Sequence, residues 1–262
     1  MARQGLMAAP GVVLARARVG EGGLWMTLFL KGQGLLRASA PGAESGRVRF
    51  GGGTEPFVWG TFQLHRGRAG GLCLSGVDIV DDMYPLRKRP EALRTAVRWA
   101  RLVKRFLIFE HPADELLANL YWNMRLLSVP HVPPAAAEWR FLWRWLEEWG
   151  LAPDLRHCAR CGREIGFSRS RRETALNRSR RGPDTARAAW TGEGLLCAAC
   201  APEAQEERPS FTGEDLSLLR QVVGRDVEGV VRMFEDNVSL RARQGVFALA
   251  GRCAEGLLRE EI

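Results

Sequence analysis

The sequence lacks any apolar run approaching the roughly 18 residues that a membrane-spanning helix needs. Arg3, Arg16 and Arg18 also interrupt its mildly apolar first twenty residues, so no secretory leader is predicted. Both absences disfavour an exported or membrane-spanning protein. The expected location is therefore the cytosol.

Recognisable catalytic motifs are also missing. The chain has no G-x-x-x-x-G-K-[ST] phosphate-binding loop, no G-x-S-x-G turn and no H-E-x-x-H helix. Its four histidines are scattered, and the H-x-E and P-C-x-x-C pair of zinc deaminases is absent. The acidic pairs Asp81-Asp82 and Glu147-Glu148 are neighbours that point in different directions on regular elements, which is typical of surface charges. We therefore expect a protein without enzymatic activity.

Lysine is scarce, with three residues against 35 arginines, yet the net charge is +8 at pH 7. The charge is uneven, because residues 1–80 carry +5 and residues 201–262 carry −4. A basic first part favours a polyanionic partner there. The alternative is that the arginine content reflects only biased codon usage.

Only six cysteines are present, and four of them form two C-x-x-C pairs, Cys158 with Cys161 and Cys197 with Cys200. Two such turns supply the four sulfurs that tetrahedral Zn²⁺ prefers, and a site filled by four cysteines has no open position for catalysis. Disulfides or free thiols are the alternatives, disfavoured by the absent leader and the absence of a thioredoxin-like context. The remaining Cys73 and Cys253 are predicted to be buried thiols.

An arginine-rich insert separates the two cysteine pairs. The gap from Cys161 to Cys197 is 35 residues, well beyond the usual ~15–20. Residues 163–187 carry a net charge of +5 and few apolar side chains. This composition predicts a mobile basic loop.

Residues 11–80 alternate short apolar runs with glycine-rich breaks, a pattern typical of small β-barrels or sandwiches. Strands are predicted at 12–18, 24–30, 35–40, 57–65 and 72–79. Five strands in about seventy residues fit an OB-type barrel, a fold that binds nucleic acid through a basic groove and exposed aromatic rings.

Candidate DNA contacts in this segment are arginines, several of which flank turns: Arg16, Arg18, Arg37, Arg47, Arg49, Arg66 and Arg68. Four aromatic residues are candidates for base stacking: Trp25, Phe50, Phe57 and Trp59. In alternating strands such rings are more often part of the core, so both interpretations remain open.

After Pro90 the apolar period becomes helical. Leu93, Val97 and Ala100 are predicted to share one face. A second face carries an arginine row, next to which lies Lys88: Arg94, Arg98, Arg101 and Arg105. Neighbouring arginines repel by a few tenths of a kcal/mol per pair, a cost that an anionic partner would relieve. The alternative is a solvated face balanced by acidic residues from elsewhere.

Further helices are predicted at 113–127, 135–149, 212–223 and 226–234, and residues 239–258 are predicted to complete an all-α tail. The helix at 135–149 holds four tryptophans. Such a helix is either a docking surface or, more commonly, part of a core.

The order of these parts resembles the bacterial RecO family of recombination mediators. The most specific match is Gly150-Leu-Ala-Pro-Asp-Leu155 running into the first C-x-x-C-G. Gly20-Glu21, the run from Trp25 to Phe29 and Glu55-Pro56-Phe57 also look like that family's opening.

The resemblance implies an α+β fold, with an N-terminal OB-type β-barrel followed by an α-helical domain with an inserted four-cysteine zinc ribbon. The expected domains are 1–82 and 83–262, with a zinc-binding segment at 155–202 that contains the insert. It further implies a nucleoid-associated protein without turnover that binds single- and double-stranded DNA and anneals complementary strands. The implied partners are RecR and the single-stranded-DNA-binding protein, with which it helps to load RecA.

Two other classes stay open. One is a different zinc-ribbon nucleic-acid-binding module, acting on RNA or in transcription, which would not anneal strands. The other is a metal-dependent enzyme with a site hidden among the helices, whose turnover chelators would abolish.

Overall fold

A computed structural model describes residues 6–44, 49–67, 70–165, 187–192, 194–201 and 208–260. The chain divides into two compact units, Met1–Pro130 and His131–Ile262. Candidate residues Arg47 and Arg68 lie outside the described residues, as does most of the predicted basic loop. Within the described ranges, no helix is both long and apolar enough to cross a bilayer.

The first unit begins with five strands: Leu6–Val19 (β1), Gly23–Leu30 (β2), Gly34–Ala40 (β3), Trp59–Arg66 (β4) and Leu72–Asp81 (β5). They close a barrel in the order β1-β2-β3-β5-β4, with β1 returning to pair with β4. All pairs are antiparallel except the short parallel pair of β3 and β5. The predicted five-stranded, OB-like barrel is confirmed.

The first part of β1 pairs with β4 and the later part pairs with β2, and the two pairings overlap at Gly11 and Val12. Gly11 pairs with Leu30 of β2 and with Gly60 of β4. A Cβ atom at position 11 would lie 2.1 Å from the carbonyl oxygen of Phe29, so only glycine allows this close approach. The closed seam therefore depends on a backbone contact that a side chain would prevent.

Three helices complete the first unit: Tyr84–Arg87 (α1), Pro90–Phe106 (α2) and Asp114–Leu127 (α3). Pro90 at the first helical position of α2 lacks an N–H that would have had no partner there, which suits a helix start. The buried side of α2 includes Ala96, Trp99 and Val103. Of the residues predicted to share one face, Ala100 is buried, whereas Leu93 and Val97 are only half-buried.

The second unit contains helices and a small sheet: Pro134–Glu148 (α4), Arg187–Thr191 (β6), Gly194–Cys197 (β7), Ser210–Thr212 (β8), Gly213–Gly224 (α5), Val227–Asp236 (α6), a 3-10 helix at Val238–Arg243 and Gln244–Glu260 (α7). The sheet order is β7-β6-β8. The tail expected to be all helical at 239–258 consists of the 3-10 helix followed by α7. Helix α5 begins with a reciprocal capping box formed by Thr212 and Asp215.

The tryptophans of α4 form the core of the second unit. Trp139 and Trp145 are fully buried, and Trp139 Nε1 donates to the Leu219 carbonyl of α5 at 3.1 Å. The Trp139 ring also meets the edge of Trp190 in β6, with centroids 6.4 Å apart. The core interpretation of this helix is confirmed for these residues, and Trp149 at the end of α4 stays 37% exposed.

Candidate nucleic-acid interface and metal centre

The arginine row of α2 lies on the side of the helix opposite its buried residues. Arg94, Arg98, Arg101 and Arg105 are all exposed. Among the described residues, no carboxylate oxygen lies within 4.0 Å of the guanidinium nitrogens of Arg94, Arg101 or Arg105. Eleven residues of helix extend about 16 Å, which matches roughly five phosphates of one DNA strand at 3.4 Å of axis each.

Two of the candidate arginines of the barrel are paired with acidic residues. Arg16 Nη1 lies 2.9 Å from Glu55, and Arg18 Nε lies 2.6 Å from Glu44. Both carboxylates come from the segment between β3 and β4. These ion pairs neutralise the charge that a phosphate would otherwise meet, so Arg16 and Arg18 are weaker candidates than α2.

Other predicted basic residues have local partners but stay exposed. Arg49 donates to the Pro41 carbonyl at 2.8 Å, and Arg66 donates to the Gly70 carbonyl at 3.2 Å. The ammonium of Lys88 lies 4.4 Å from the centre of a tyrosine ring, that of Tyr84. None of these contacts neutralises the positive charge.

Only one of the four aromatic stacking candidates is available on the surface. Trp25 is 44% exposed, whereas Phe50, Phe57 and Trp59 are 7%, 3% and 7% exposed. The stacking interpretation is therefore wrong for the last three. Trp25 points outward because Leu24 and Met26 on either side of it face the barrel interior, as the alternation of a strand requires.

Three adjoining grooves connect the barrel to α2. A groove of about 360 Å³ holds Trp25 and Arg37, and it shares Ala15 and Arg16 with a second groove of about 510 Å³ that reaches Arg101. Arg37 in turn lines a third groove, of about 400 Å³. The shared residues make these grooves neighbours, and we call the three grooves together the basic track.

Lys104 belongs to the basic track, although the sequence did not single it out. It lines the groove that contains Arg101, with half-buried Leu93 and Val97 nearby. Partial burial lowers the pKa of Lys104, and the neighbouring charge of Arg101 lowers it further. The sequence signal was the spacing of three residues from Arg101, which puts both cations on adjacent parts of one helix.

Phe109 is a second residue of these grooves that the sequence did not indicate. It is 38% exposed and lies in the third groove together with Arg37 and Arg66. The Arg37 guanidinium carbon lies 5.1 Å from the centre of the Phe109 ring, within the range of a cation–π contact. No periodic pattern contains this residue, so only the fold reveals its position.

In the second unit, the four cysteines of the C-x-x-C pairs come together. Their sulfur atoms all lie within 4.8 Å of one another, and the Sγ atoms of Cys161 and Cys197 are 3.8 Å apart. A tetrahedral ion with metal–sulfur bonds of about 2.3 Å separates its ligands by about 3.8 Å. The donor set therefore fits a tetrahedral metal ion such as Zn²⁺.

The two cysteine turns have matching backbone geometry. Gly162 N–H donates to the Cys158 carbonyl at 2.9 Å, and Ala201 N–H donates to the Cys197 carbonyl at 2.9 Å. Gly162 has a φ of 68°, a left-handed conformation that glycine adopts without strain. The hairpin of β6 and β7 carries the second turn, and Ala159 N–H donates to the Leu195 carbonyl at 2.9 Å. Backbone contacts thus hold both turns in position.

Hydrogen bonds from the backbone favour the thiolate form of Cys158. Burial opposes its ionisation, but backbone N–H groups, foremost that of Cys197 at 3.4 Å, outweigh it and lower the pKa of Cys158 to about 6. A hydrogen bond with the Cys161 thiol, together with burial, raises the pKa of Cys200 to about 12. Without a cation, one thiol of the cluster therefore ionises easily while another stays protonated. The charge of a bound cation would let neighbouring thiols ionise together.

Comparison with known proteins gives consistent matches. The family model described as Recombination protein O N terminal matches residues 4–81, and the one described as Recombination protein O C terminal matches residues 87–242. The DNA repair protein RecO of Anaeromyxobacter sp. (strain K) is 33% identical over 213 residues, which cover 80% of this chain and 76% of that protein. The DNA repair protein RecO of Gloeobacter violaceus is 31% identical over 172 residues, covering 61% and 63%.

Proposed function

Because this chain belongs to the RecO family of DNA repair proteins, we propose that it is a non-enzymatic mediator of recombinational repair. In this proposal it binds single- and double-stranded DNA, anneals complementary strands and helps to load RecA. Its protein partners are RecR and the single-stranded-DNA-binding protein, and it acts at the nucleoid. Residues 1–82 would be the nucleic-acid-binding domain, and residues 83–262 the helical domain with its zinc segment.

The exposed arginine row of α2 carries the proposal. Its guanidinium groups stand along one face of a rigid helix, and three of them lack a carboxylate partner among the described residues. One member of the row, Arg101, also lines a groove of the basic track together with Lys104. Such a surface binds phosphates independently of sequence.

Annealing places a specific demand on a protein. Two DNA strands repel each other, so both backbones must be neutralised while the base edges stay free to pair. The basic track supports this role, since it offers many phosphate contacts and the exposed ring of Trp25 as a stacking surface.

Zinc is the metal ion proposed to bind the cysteine cluster. Cys158, Cys161, Cys197 and Cys200 would hold one Zn²⁺ per chain, with no coordination position left for a substrate. The ion would stabilise the second unit by joining the two cysteine turns. A structural role also agrees with the proposed absence of turnover.

Equilibrium binding to three labelled probes of equal length, namely single-stranded DNA, duplex DNA and single-stranded RNA, tests this proposal. Fluorescence anisotropy at several salt concentrations should show DNA binding with a slope of log K against log salt steeper than about −2, because several phosphates are contacted at once. A shallower slope would count against backbone binding. A clear preference for RNA would favour a zinc-ribbon RNA-binding module instead.

A further inference from the structure

The loop after α2 is fastened to the barrel in a way that fixes Phe109. Phe109 forms a parallel bridge with Leu35 at the start of β3, and Glu110 N–H donates to the Leu35 carbonyl at 2.9 Å. Glu110 has a φ of 58°, a left-handed conformation that turns the chain sharply after Phe109. The backbone at Phe109 is therefore held against the barrel beside β3.

Two more contacts hold the same loop against the β2–β3 hairpin. Gly32 N–H donates to Asp114 Oδ1 at 2.7 Å, at the start of α3. A Cβ atom on Gly34, whose φ is 72°, would lie 1.9 Å from the carbonyl oxygen of His111. These close approaches constrain the loop backbone, which lowers the entropy cost of placing the Phe109 side chain against a ligand.

The Arg37 guanidinium extends this aromatic surface. It lies over the Phe109 ring, and the exposed Arg37 side chain also lines the groove that holds Trp25. Among the described residues, no carboxylate oxygen lies within 4.0 Å of its nitrogens. A planar guanidinium on an aromatic ring offers its free face to another flat group, and nucleobases stack on such planes.

The charged residues around this groove, Arg37, Arg66 and Glu110, suit a whole nucleotide better than a phosphate alone. Arg66 lines one part of it, but the carboxylate of Glu110 lines another part and would repel a phosphate there. A carboxylate instead accepts hydrogen bonds from the amino groups of bases. The groove therefore suits the unpaired base of a nucleotide in a single strand, with the phosphates of that strand toward Arg66 or toward Trp25.

From this arrangement we infer that Arg37 and Phe109 form a stacking site for an unpaired base, which makes this part of the basic track selective for single-stranded DNA. The inference rests on the proposed function, because it assumes a DNA strand on this surface. A base inside a duplex cannot reach the site. Strands that have paired would therefore lose this contact, and the annealed product would leave the barrel more readily than either separate strand.

Two conservative variants test the stacking site. Phe109→Leu keeps an apolar side chain but removes the ring, and Arg37→Lys keeps the charge but removes the planar group. The probes are a labelled thymidine strand, a duplex of equal length, and a strand of equal length in which abasic residues replace the central thymidines. Each variant should bind the thymidine strand about 10-fold more weakly and the duplex and abasic strands within about twofold of wild type.

The outcomes separate this inference from the proposed function. Wild-type protein that binds abasic and thymidine strands equally would overturn the stacking site while leaving DNA binding intact. Equal losses on all three probes would also overturn it, because they would indicate a phosphate contact or a damaged fold. A wild-type protein that binds none of the probes would instead refute the proposed function, and the inference with it.

Discussion

Replacing Arg94, Arg101 and Arg105 together with glutamine is expected to weaken duplex DNA binding by about 10²- to 10³-fold at about 0.1 M salt. Each lost phosphate contact removes about 0.9 from the salt slope, so the slope should become shallower by about 2.7. All three side chains are exposed, and the substitution removes charge without opening the buried side of α2. Salt-dependent fluorescence anisotropy measures both quantities.

The matched control compares two single variants, one at Arg94, which has no carboxylate partner among the described residues, and one at Arg18, which forms an ion pair. Arg94→Gln alone should weaken binding by about 8-fold at the same salt concentration, the share of one contact. Arg18→Gln should change it by no more than about twofold, because Arg18 already pairs with Glu44. Equal effects of the two single changes would mean that the α2 row has no special role and that only net charge matters.

Cys158→Ser is expected to remove bound zinc and to lower the stability of the second unit. Serine does not supply the thiolate that completes the tetrahedral site, and a structural ion contributes its binding free energy to folding. We expect a loss of about 3–5 kcal/mol, which in a chain of this size lowers the melting temperature by about 10 °C. Zinc content by atomic absorption and thermal unfolding by circular dichroism measure the two effects.

Cys73→Ser is the control, because Cys73 is a half-buried cysteine of the barrel outside the cluster. It should keep one zinc per chain. DNA affinity in low salt should change little in Cys158→Ser at temperatures where the protein stays folded, since the basic track lies in the other unit. A zinc-free Cys158→Ser protein that melts at the wild-type temperature would refute the structural role of the ion.

The cysteine cluster is the part of the site that could be predicted best from sequence. Spacing within Cys158–Cys161 and Cys197–Cys200 is local information, and a two-residue gap permits few conformations. The long gap between the pairs did not matter, because β6 and β7 form a hairpin that brings the second pair to the first. The local spacing within each pair was therefore enough to predict that the two pairs meet in the folded chain.

The electrostatic state of the barrel arginines could not be predicted from the sequence. Arg16 and Arg18 look like free cations beside turns, yet Glu44 and Glu55 reach them from a separate segment whose course depends on the closed barrel. Phe109 is the reverse case, a residue without a pattern that becomes part of a surface through its bridge to Leu35. Both facts depend on tertiary contacts between segments far apart in sequence.

Strand alternation predicts the exposure of only some of the aromatic residues. Trp25 lies in a regular alternating strand, so its outward position follows from its buried neighbours. Phe50 and Phe57 lie in an irregular segment, where alternation gives no information, and Phe57 even has a φ of 70°. Its backbone N–H donates to the Val13 carbonyl at 2.7 Å, which holds it against β1 and buries the ring.

The mediator function can be tested most directly by the annealing rate of two complementary oligonucleotides coated with the single-stranded-DNA-binding protein, with zinc counted on the same sample. Wild-type protein that holds one zinc per chain should accelerate annealing. Changing Arg94, Arg101 and Arg105 together to glutamine should largely abolish this acceleration while zinc content stays the same. No acceleration by fully zinc-loaded wild-type protein would contradict the mediator function and favour a different nucleic-acid-binding role.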